Sequence, residues 1–318
     1  MARQRVLFIG GSMNQTTIVH QVAAHLSDHD LWFTPFYGDG LVGAMAEAGM
    51  LEFSIMGDRA RRRAATYLRD KGCRIDDGGK DRVYDLVVLC SDLFMPRNIR
   101  GRKIVLIQEG MVDPENLVYH LVRALGLPRY LANTSMTGLS GAYRAFCVAS
   151  EGFKDLFVRK GVDPGLIRVT GIPNFDHVES FRNNAFPLKN FVLVATSYLR
   201  ECFKFENRRQ LIARALAVAD GRPVVFKLHP QEDAPRAVCE IRRHAPGRPI
   251  YTDGNTNHMV ANCHALVTRY SSVVLVAAAL NKEIHSDLAP GFLERIKPIQ
   301  NGGRAARHIA DVCREVLG

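Results

Sequence analysis

The 318-residue chain has no apolar run approaching the roughly 18 residues that a membrane-spanning helix requires, so anchoring by such a helix is not expected. Its start, Met1-Ala2-Arg3-Gln4-Arg5, leads directly into a short strand pattern, unlike a secretory leader. Seven cysteines, at 73, 90, 147, 202, 239, 263 and 313, are odd in number and scattered, with no CxxC spacing. That distribution argues against a disulfide framework and a thiolate zinc site, and suits a reducing cytosol. The eleven histidines form no HExxH or HxH cluster, and Cys263-His264 has no partner spacing for zinc, so the sequence requires no metal. Aromatic residues are only 8%, with no basic-aromatic stripe, which disfavours nucleic acid as a partner. No short-period repeat is present, and a solenoid is excluded.

What is there describes a globular protein with a large core: 47% hydrophobic and 23% charged residues. The length predicts two domains of about 150 residues each. The 42 basic and 32 acidic side chains give a formal charge of +10, which favours acidic partners such as nucleotides, anionic glycans or a membrane surface. The densest basic stretch, Arg59, Arg61, Arg62 and Arg63 followed by Arg69 and Lys71, falls on a helix whose apolar positions include Ile55, Met56, Ala60, Ala64 and Leu68. Such a helix serves either as a solvated face or as a dock for a membrane or acidic acceptor.

Apolar runs recur at Val6 to Ile9, Leu31 to Thr34, Leu86 to Cys90, Ile104 to Ile107 and Ala145 to Val148, separated by helical patterns. Near-continuous apolar strands alternating with helices describe a parallel sheet buried on both faces. A polar passage, Glu179 to Asn184, reads as a linker. The pattern restarts with Phe191 to Ala195, Pro223 to Leu228, Ala265 to Thr268 and Glu283 to His285, with helices at Glu206 to Ala219, Ala234 to Arg243 and Ser272 to Leu280. The expected architecture is α/β: two doubly wound Rossmann-like domains, 1–184 and 185–318, facing a central cleft, with the last helix, Arg304 to Leu317, packing across the hinge.

Two elements of the second half are suited to holding a phosphate. The strand ending Phe226-Lys227-Leu228 delivers His229-Pro230 at its carboxyl end, where a doubly wound sheet places its ligand. His229 would donate a hydrogen bond or proton to a leaving phosphate, Pro230 would stiffen the turn, and Lys227 would add positive charge. About forty positions later, Thr268-Arg269-Tyr270-Ser271-Ser272 opens a small-residue helix, so Ser271, Ser272 and free backbone N–H groups form an anion site aided by the helix dipole. Thr196-Ser197 ends another strand and offers phosphate or ribose contacts, and Arg269 is placed to pair with a phosphate. Each element also has a plain structural use as a turn or cap.

In the first half, Gly10-Gly11-Ser12-Met13-Asn14-Gln15-Thr16 makes a glycine-bearing turn into a helix. It lacks the full GxGxxG spacing and a P-loop lysine, and serves either as a ligand approach or as a capped strand-to-helix turn. Gln108-Glu109-Gly110 puts a carboxylate at the end of another strand, with a glycine behind it that admits a substrate. Glu109 would accept a proton from an attacking hydroxyl or cap the following helix. Asp76-Asp77-Gly78-Gly79 is a polar loop rather than a metal-binding pair.

With Glu109-Gly110, His229-Pro230 and Ser271-Ser272 in this order, the chain resembles bacterial capsule and surface-polysaccharide glycosyltransferases of the GT-B fold, including polysialyltransferases and Kdo transferases. These share an acidic-acidic-glycine motif, an HP motif and a serine pair. Here Gln108 stands at the first acidic position. The segment Thr268 to Val273, continuing through Leu280-Asn281-Lys282-Glu283, also looks like CDP-glycerol glycerophosphotransferases. Ser150-Glu151-Gly152 and Val169 to Asp176 look like the superfamily that includes UDP-GlcNAc 2-epimerases.

The resemblance covers about residues 85 to 290 through motifs two to six residues long. It implies Glu109 as general base, His229 on the donor phosphate, and Ser271 with Ser272 binding that phosphate. The reaction it implies moves an acidic sugar from a CMP-activated donor to a glycan or glycolipid, without a cofactor, in the cytoplasm or at the inner membrane face. A UDP-sugar epimerase, drawing on Asp92 and Glu115 as extra acid/base groups, and a non-catalytic nucleotide-sugar-binding protein are the rival expectations.

Overall fold

In the computed structural model, residues 3–52, 54–202 and 205–318 are described. The apolar runs pair in parallel throughout. The first unit contains β1 (Arg5–Ile9), α1 (Met13–Ala23), β2 (Asp30–Thr34), α2 (Gly40–Glu47), α3 (Asp58–Asp70), β3 (Leu86–Leu89), β4 (Lys103–Ile107), α4 (Leu117–Leu125), β5 (Ala145–Val148), α5 (Glu151–Lys160) and β6 (Ile167–Val169). Its six-stranded sheet has the order β2-β1-β3-β4-β5-β6. Chain order reverses direction between β1 and β3, and such a switch point leaves a crevice at the carboxyl ends of the strands. The central strands are buried because helices such as α1 and α5 pack on them, which is why they are apolar at every position rather than alternately.

The second unit contains β7 (Val192–Ala195), α6 (Arg208–Val218), β8 (Val224–Lys227), α7 (Ala234–His244), β9 (Ile250–Tyr251), α8 (Thr256–Asn262), β10 (Ala265–Val267), α9 (Val273–Ala279), β11 (Glu283–His285) and α10 (Pro290–Ile296). Its parallel sheet has the order β11-β10-β7-β8-β9, with the switch point between β7 and β10. Val192, Val194, Phe226 and Val267 from the strands close a core with Leu211 and Ile212 of α6 and Ile241 of α7. Both halves are therefore doubly wound Rossmann-like domains of the kind found in GT-B proteins.

The compact units are residues up to Asp176 together with Asn301–Gly318, and His177–Gln300. The last helix, α11 (Ala305–Leu317), packs on α1, β3, β4 and β5 and so belongs to the first unit, whereas the sequence reading assigned 185–318 to the second. A buried carboxylate makes this return possible. Asp176 is fully buried and accepts hydrogen bonds from the backbone N–H groups of Asn301 and, at 2.6 Å, Ala305, which caps the start of α11. The passage read as a linker is instead partly a tight helical turn, Val178–Arg182. On the basic helix, α3 begins at Asp58, so Ile55 and Met56 precede it; Arg62 pairs with Asp58 at 2.6 Å and Arg61 approaches Asp77 at 3.6 Å.

Candidate active site

β1 ends at the two glycines, which let the first turn of α1 pack close against the strand end. A Cβ on Gly10 would lie 2.8 Å from Thr16 Oγ1, and one on Gly11 would lie 1.8 Å from Gln15 Oε1. This brings Ser12 to the helix start, where its hydroxyl accepts from the Gln15 backbone N–H at 3.1 Å. The same hydroxyl donates to Glu109 Oε1 at 2.6 Å. Gln15 Nε2 donates to Glu109 Oε2 at 2.5 Å, and Asn14 Nδ2 donates to the Glu109 carbonyl at 3.2 Å. Glu109 follows β4, so the first turn of α1 and the end of β4 converge on one carboxylate. Among the described residues no cation lies within 4 Å of it. Each oxygen keeps lone-pair capacity for one more donor.

Gln108 is fully buried behind Glu109. Its Oε1 accepts from the Ala149 backbone N–H at 2.9 Å and its Nε2 donates to the Gly110 carbonyl at 2.8 Å. An amide meets both needs. A carboxylate at this position would accept the first bond but face the Gly110 oxygen with no proton to offer. Beside the site, burial and the Glu109 charge push the Cys90 thiol well above its usual pKa, which leaves it a neutral wall residue.

Asn14, Gln15 and Asn174 belong to this arrangement and were missed in the sequence. Asn174 Nδ2 donates to Asn14 Oδ1 at 2.6 Å and Thr17 Oγ1 at 3.2 Å, while its Oδ1 accepts from Gln21 Nε2 at 2.8 Å. The legible trace was the spacing of Asn14, Thr17 and Gln21, a polar stripe along one face of α1. The Gly171-Ile172-Pro173-Asn174-Phe175-Asp176 motif thus has a structural use: Asn174 ties the chain to α1 and Asp176 ties it to α11.

In the second unit, His229 sits just beyond β8. Its Nδ1 accepts from the Gln231 backbone N–H at 3.1 Å, so the neutral ring carries its proton on Nε2. The ring stacks on Tyr198, with centroids 4.4 Å apart. Burial and then the Lys227 charge lower its pKa to about 4, which makes His229 a neutral hydrogen-bond donor at pH 7. Lys227 is itself buried, with Nζ donating to the carbonyls of Leu228 at 2.8 Å and Thr252 at 3.0 Å. It braces β8 against the end of β9 and supplies charge through space. Pro230, next in the chain, is exposed at the turn.

Thr196 and Ser197, at the end of β7, point their hydroxyls at carboxylates. Thr196 Oγ1 donates to Glu232 Oε2 at 2.5 Å and accepts from the His229 backbone N–H at 3.1 Å; Ser197 Oγ donates to Glu206 Oε2 at 2.7 Å. Arg208 bonds Glu206 at 2.7 Å and also Glu232, all three side chains being buried. With both hydroxyl protons so committed, a phosphate oxygen could reach Thr196 or Ser197 only by displacing a carboxylate. Thr196 thus holds the His229 backbone, and Ser197 ties the end of β7 to Glu206.

Across β7 from β8, β10 delivers Thr268, whose hydroxyl donates to the Ala195 carbonyl at 2.8 Å. Arg269 is paired with Asp287 at 2.6 Å. Ser271 Oγ accepts from the Val273 N–H at 3.4 Å, and Ser272 stands at the start of α9. Because β7 lies between β8 and β10, His229 and Ser271 flank one strand end at the switch point. Asp92, by contrast, is buried with its carboxylate oxygens accepting from the backbone N–H groups of Gly138 at 2.9 Å and Ser140 at 3.0 Å. Glu115 is exposed in the loop before α4. A cavity of about 290 Å³ in the first unit, lined by residues that include Lys80, Arg82, Tyr84 and Arg102, contains none of these groups. Among the described residues no cluster of three His, Cys, Asp or Glu side chains could hold a metal ion.

No family profile matches the chain, and no curated protein does. Solved structures do. A UDP-GlcNAc 2-epimerase from Neisseria meningitidis bound to UDP-GlcNAc aligns over 98% of this chain and 100% of its own, with a TM-score of 0.59 and 13% identity. The likeness is one of fold. Another UDP-N-acetylglucosamine 2-epimerase gives 0.53 at 13% identity over 99% and 96% of the two chains. The wall teichoic acid polymerase TagF, soaked with CDPG, gives 0.55 at 11% identity over 99% and 88%.

Proposed function

We propose that this protein is a glycosyltransferase that moves an acidic sugar of the Kdo or sialic acid type from a CMP-activated donor to a hydroxyl of a glycan or glycolipid. The observation that carries this reading is the placement of Glu109: a strand-end carboxylate oriented by Ser12 and Gln15, with no cation within 4 Å among the described residues. Ser12 and Gln15 fix the orientation of the carboxylate, and the geometry a general base needs is a positioned oxygen within hydrogen-bond reach of the attacking hydroxyl. Glu109 takes the acceptor proton as that oxygen attacks the anomeric carbon, and the bond from that carbon to the phosphate oxygen breaks. His229, fixed as a neutral Nε2–H donor, serves the departing CMP phosphate together with Ser271 and Ser272. The fold shared with proteins named for UDP-GlcNAc and wall teichoic acid chemistry supports a nucleotide-activated substrate.

An epimerase of the same fold needs further acid/base carboxylates around the sugar. Asp92 is unsuited, because its side chain is buried and holds the Gly138 and Ser140 backbone N–H groups in place. The test is nucleotide release, followed separately with CMP-Kdo, CMP-sialic acid, CDP-glycerol and UDP-GlcNAc. CMP release from an acidic-sugar donor, stimulated by an acceptor glycan, is expected. CMP from CDP-glycerol alone would reassign the enzyme to glycerophosphate transfer, and epimerised UDP-GlcNAc would overturn the transferase reading.

A further inference from the structure

Exposed apolar side chains on this protein are concentrated in one place. Of thirteen large ones among the described residues, seven lie between positions 117 and 131. On α4, Leu117 is 73% exposed, Val118 46%, Leu121 48% and Leu125 66%. At 3.6 residues per turn these four fall within about 100° of one another around the helix. Tyr119 and Val122 alone seat the helix, against Ala132 and Met136. Leu127, Tyr130 and Leu131 extend the exposed surface past the helix end, where Gly126 closes α4 in a left-handed conformation. An apolar stripe on a helix that turns its other side to the core is unfavourable in water unless something covers it.

The charge around the stripe indicates what that is. From residue 116 to residue 150 the chain has no aspartate or glutamate. Tyr130 packs on Phe94 with ring centroids 6.4 Å apart, which brings in the segment carrying Arg97 and Arg100. Both arginines are exposed and neither is in an ion pair among the described residues. A second copy of the chain would set one such surface, on a protein of charge +10, against another. A sheet of lipid phosphates complements both the apolar stripe and the exposed Arg97 and Arg100 beside it. We infer that α4 and the turn after it form a monotopic membrane-docking element that inserts its leucines into the interface of an anionic bilayer. The inference stands independently of the reaction proposed above.

The test is co-sedimentation of the full chain with vesicles of phosphatidylglycerol and phosphatidylethanolamine, against phosphatidylcholine alone. Binding to the anionic vesicles is expected. The double variant Leu121→Glu/Leu125→Glu is expected to lose it by about a hundredfold. Arg97→Gln and Arg100→Gln should each weaken it about fivefold. Circular dichroism and thermal melting confirm that these surface variants remain folded. Absence of binding by the parent chain overturns the proposal, as does unchanged binding by the folded leucine variant. Sedimentation velocity showing a dimer that the leucine variant abolishes, without vesicle binding, would assign the stripe to a second copy instead.

Discussion

The Ser12 hydroxyl donates to Glu109 at 2.6 Å while accepting from the Gln15 backbone N–H at 3.1 Å, so one side chain both caps α1 and aims a carboxylate just beyond β4. Two strand ends that are not adjacent in the sheet are coupled through it, because β3 lies between β1 and β4. The carboxylate is thereby held in one rotamer by the start of a helix rather than by an opposing charge.

Glu109→Gln is therefore expected to lower kcat by about 10²- to 10⁴-fold, the range for loss of a general base, with little change in donor KM. Ser12→Ala should cost less, on the order of tenfold in kcat, together with about 1 kcal/mol of stability from the lost cap. Steady-state kinetics and urea denaturation on the two variants separate the roles. Near-normal turnover by Glu109→Gln would remove the base from the proposal.

His229 sets a pH dependence whose sign can be worked out. The ring titrates near its ordinary value of 6.5 when unfolded and at about 4 when folded. Between those values the unfolded chain binds a proton that the native one does not, so stability contributed by the neutral ring is complete above pH 6.5 and is lost as pH falls towards 4. His229→Asn should flatten the stability curve in that window relative to the parent chain. A parent-minus-variant difference that is constant from pH 7 to about 4.5 would contradict a neutral imidazole in the folded protein.

Gln108 gives a test of why an amide stands at this strand end. Its two heteroatoms are matched to one donor, Ala149 N–H, and one acceptor, the Gly110 carbonyl. Gln108→Glu is expected to cost roughly 1 to 3 kcal/mol at neutral pH, because the buried Gly110 oxygen loses its donor and faces a carboxylate instead. Urea unfolding at neutral pH and again near pH 5 reads this, with the deficit shrinking at the lower pH as the new carboxyl takes up a proton.

Much of this architecture was legible. Val6 to Ile9, Ile104 to Ile107 and Val192 to Ala195 are apolar at consecutive positions because both faces of each strand are covered, and that periodicity is local information. His229-Pro230 and Glu109-Gly110 were visible because strand ends are where doubly wound sheets present side chains. What stayed hidden was pairing at a distance. Thr196 and Ser197 read as phosphate ligands because nothing nearby in sequence shows that Glu232 and Glu206 take their protons. Arg269 likewise gives no hint of Asp287, eighteen positions on. The place of α11 depends on Asp176, whose partners lie more than a hundred residues away.

The buried network beneath His229 supplies the last prediction. Thr196 Oγ1 accepts from the His229 backbone N–H and gives its proton to Glu232, which is held in turn by Arg208. Glu232 is thus a positioning residue for His229, acting through one hydroxyl. Arg208→Met leaves Glu206 and Glu232 buried without their shared cation and is expected to cost about 3 to 5 kcal/mol. Glu232→Gln keeps the shape and an acceptor for Thr196 but weakens the charge-assisted bonds. It should lower kcat several-fold while leaving the protein folded and donor KM nearly unchanged. Because the two residues are in contact, a double-mutant cycle should show a coupling of roughly 0.5 to 3 kcal/mol. Additive losses of stability would mean that the pair is not the unit seen here, and an unaltered kcat in Glu232→Gln would separate His229 from the network that supports its backbone.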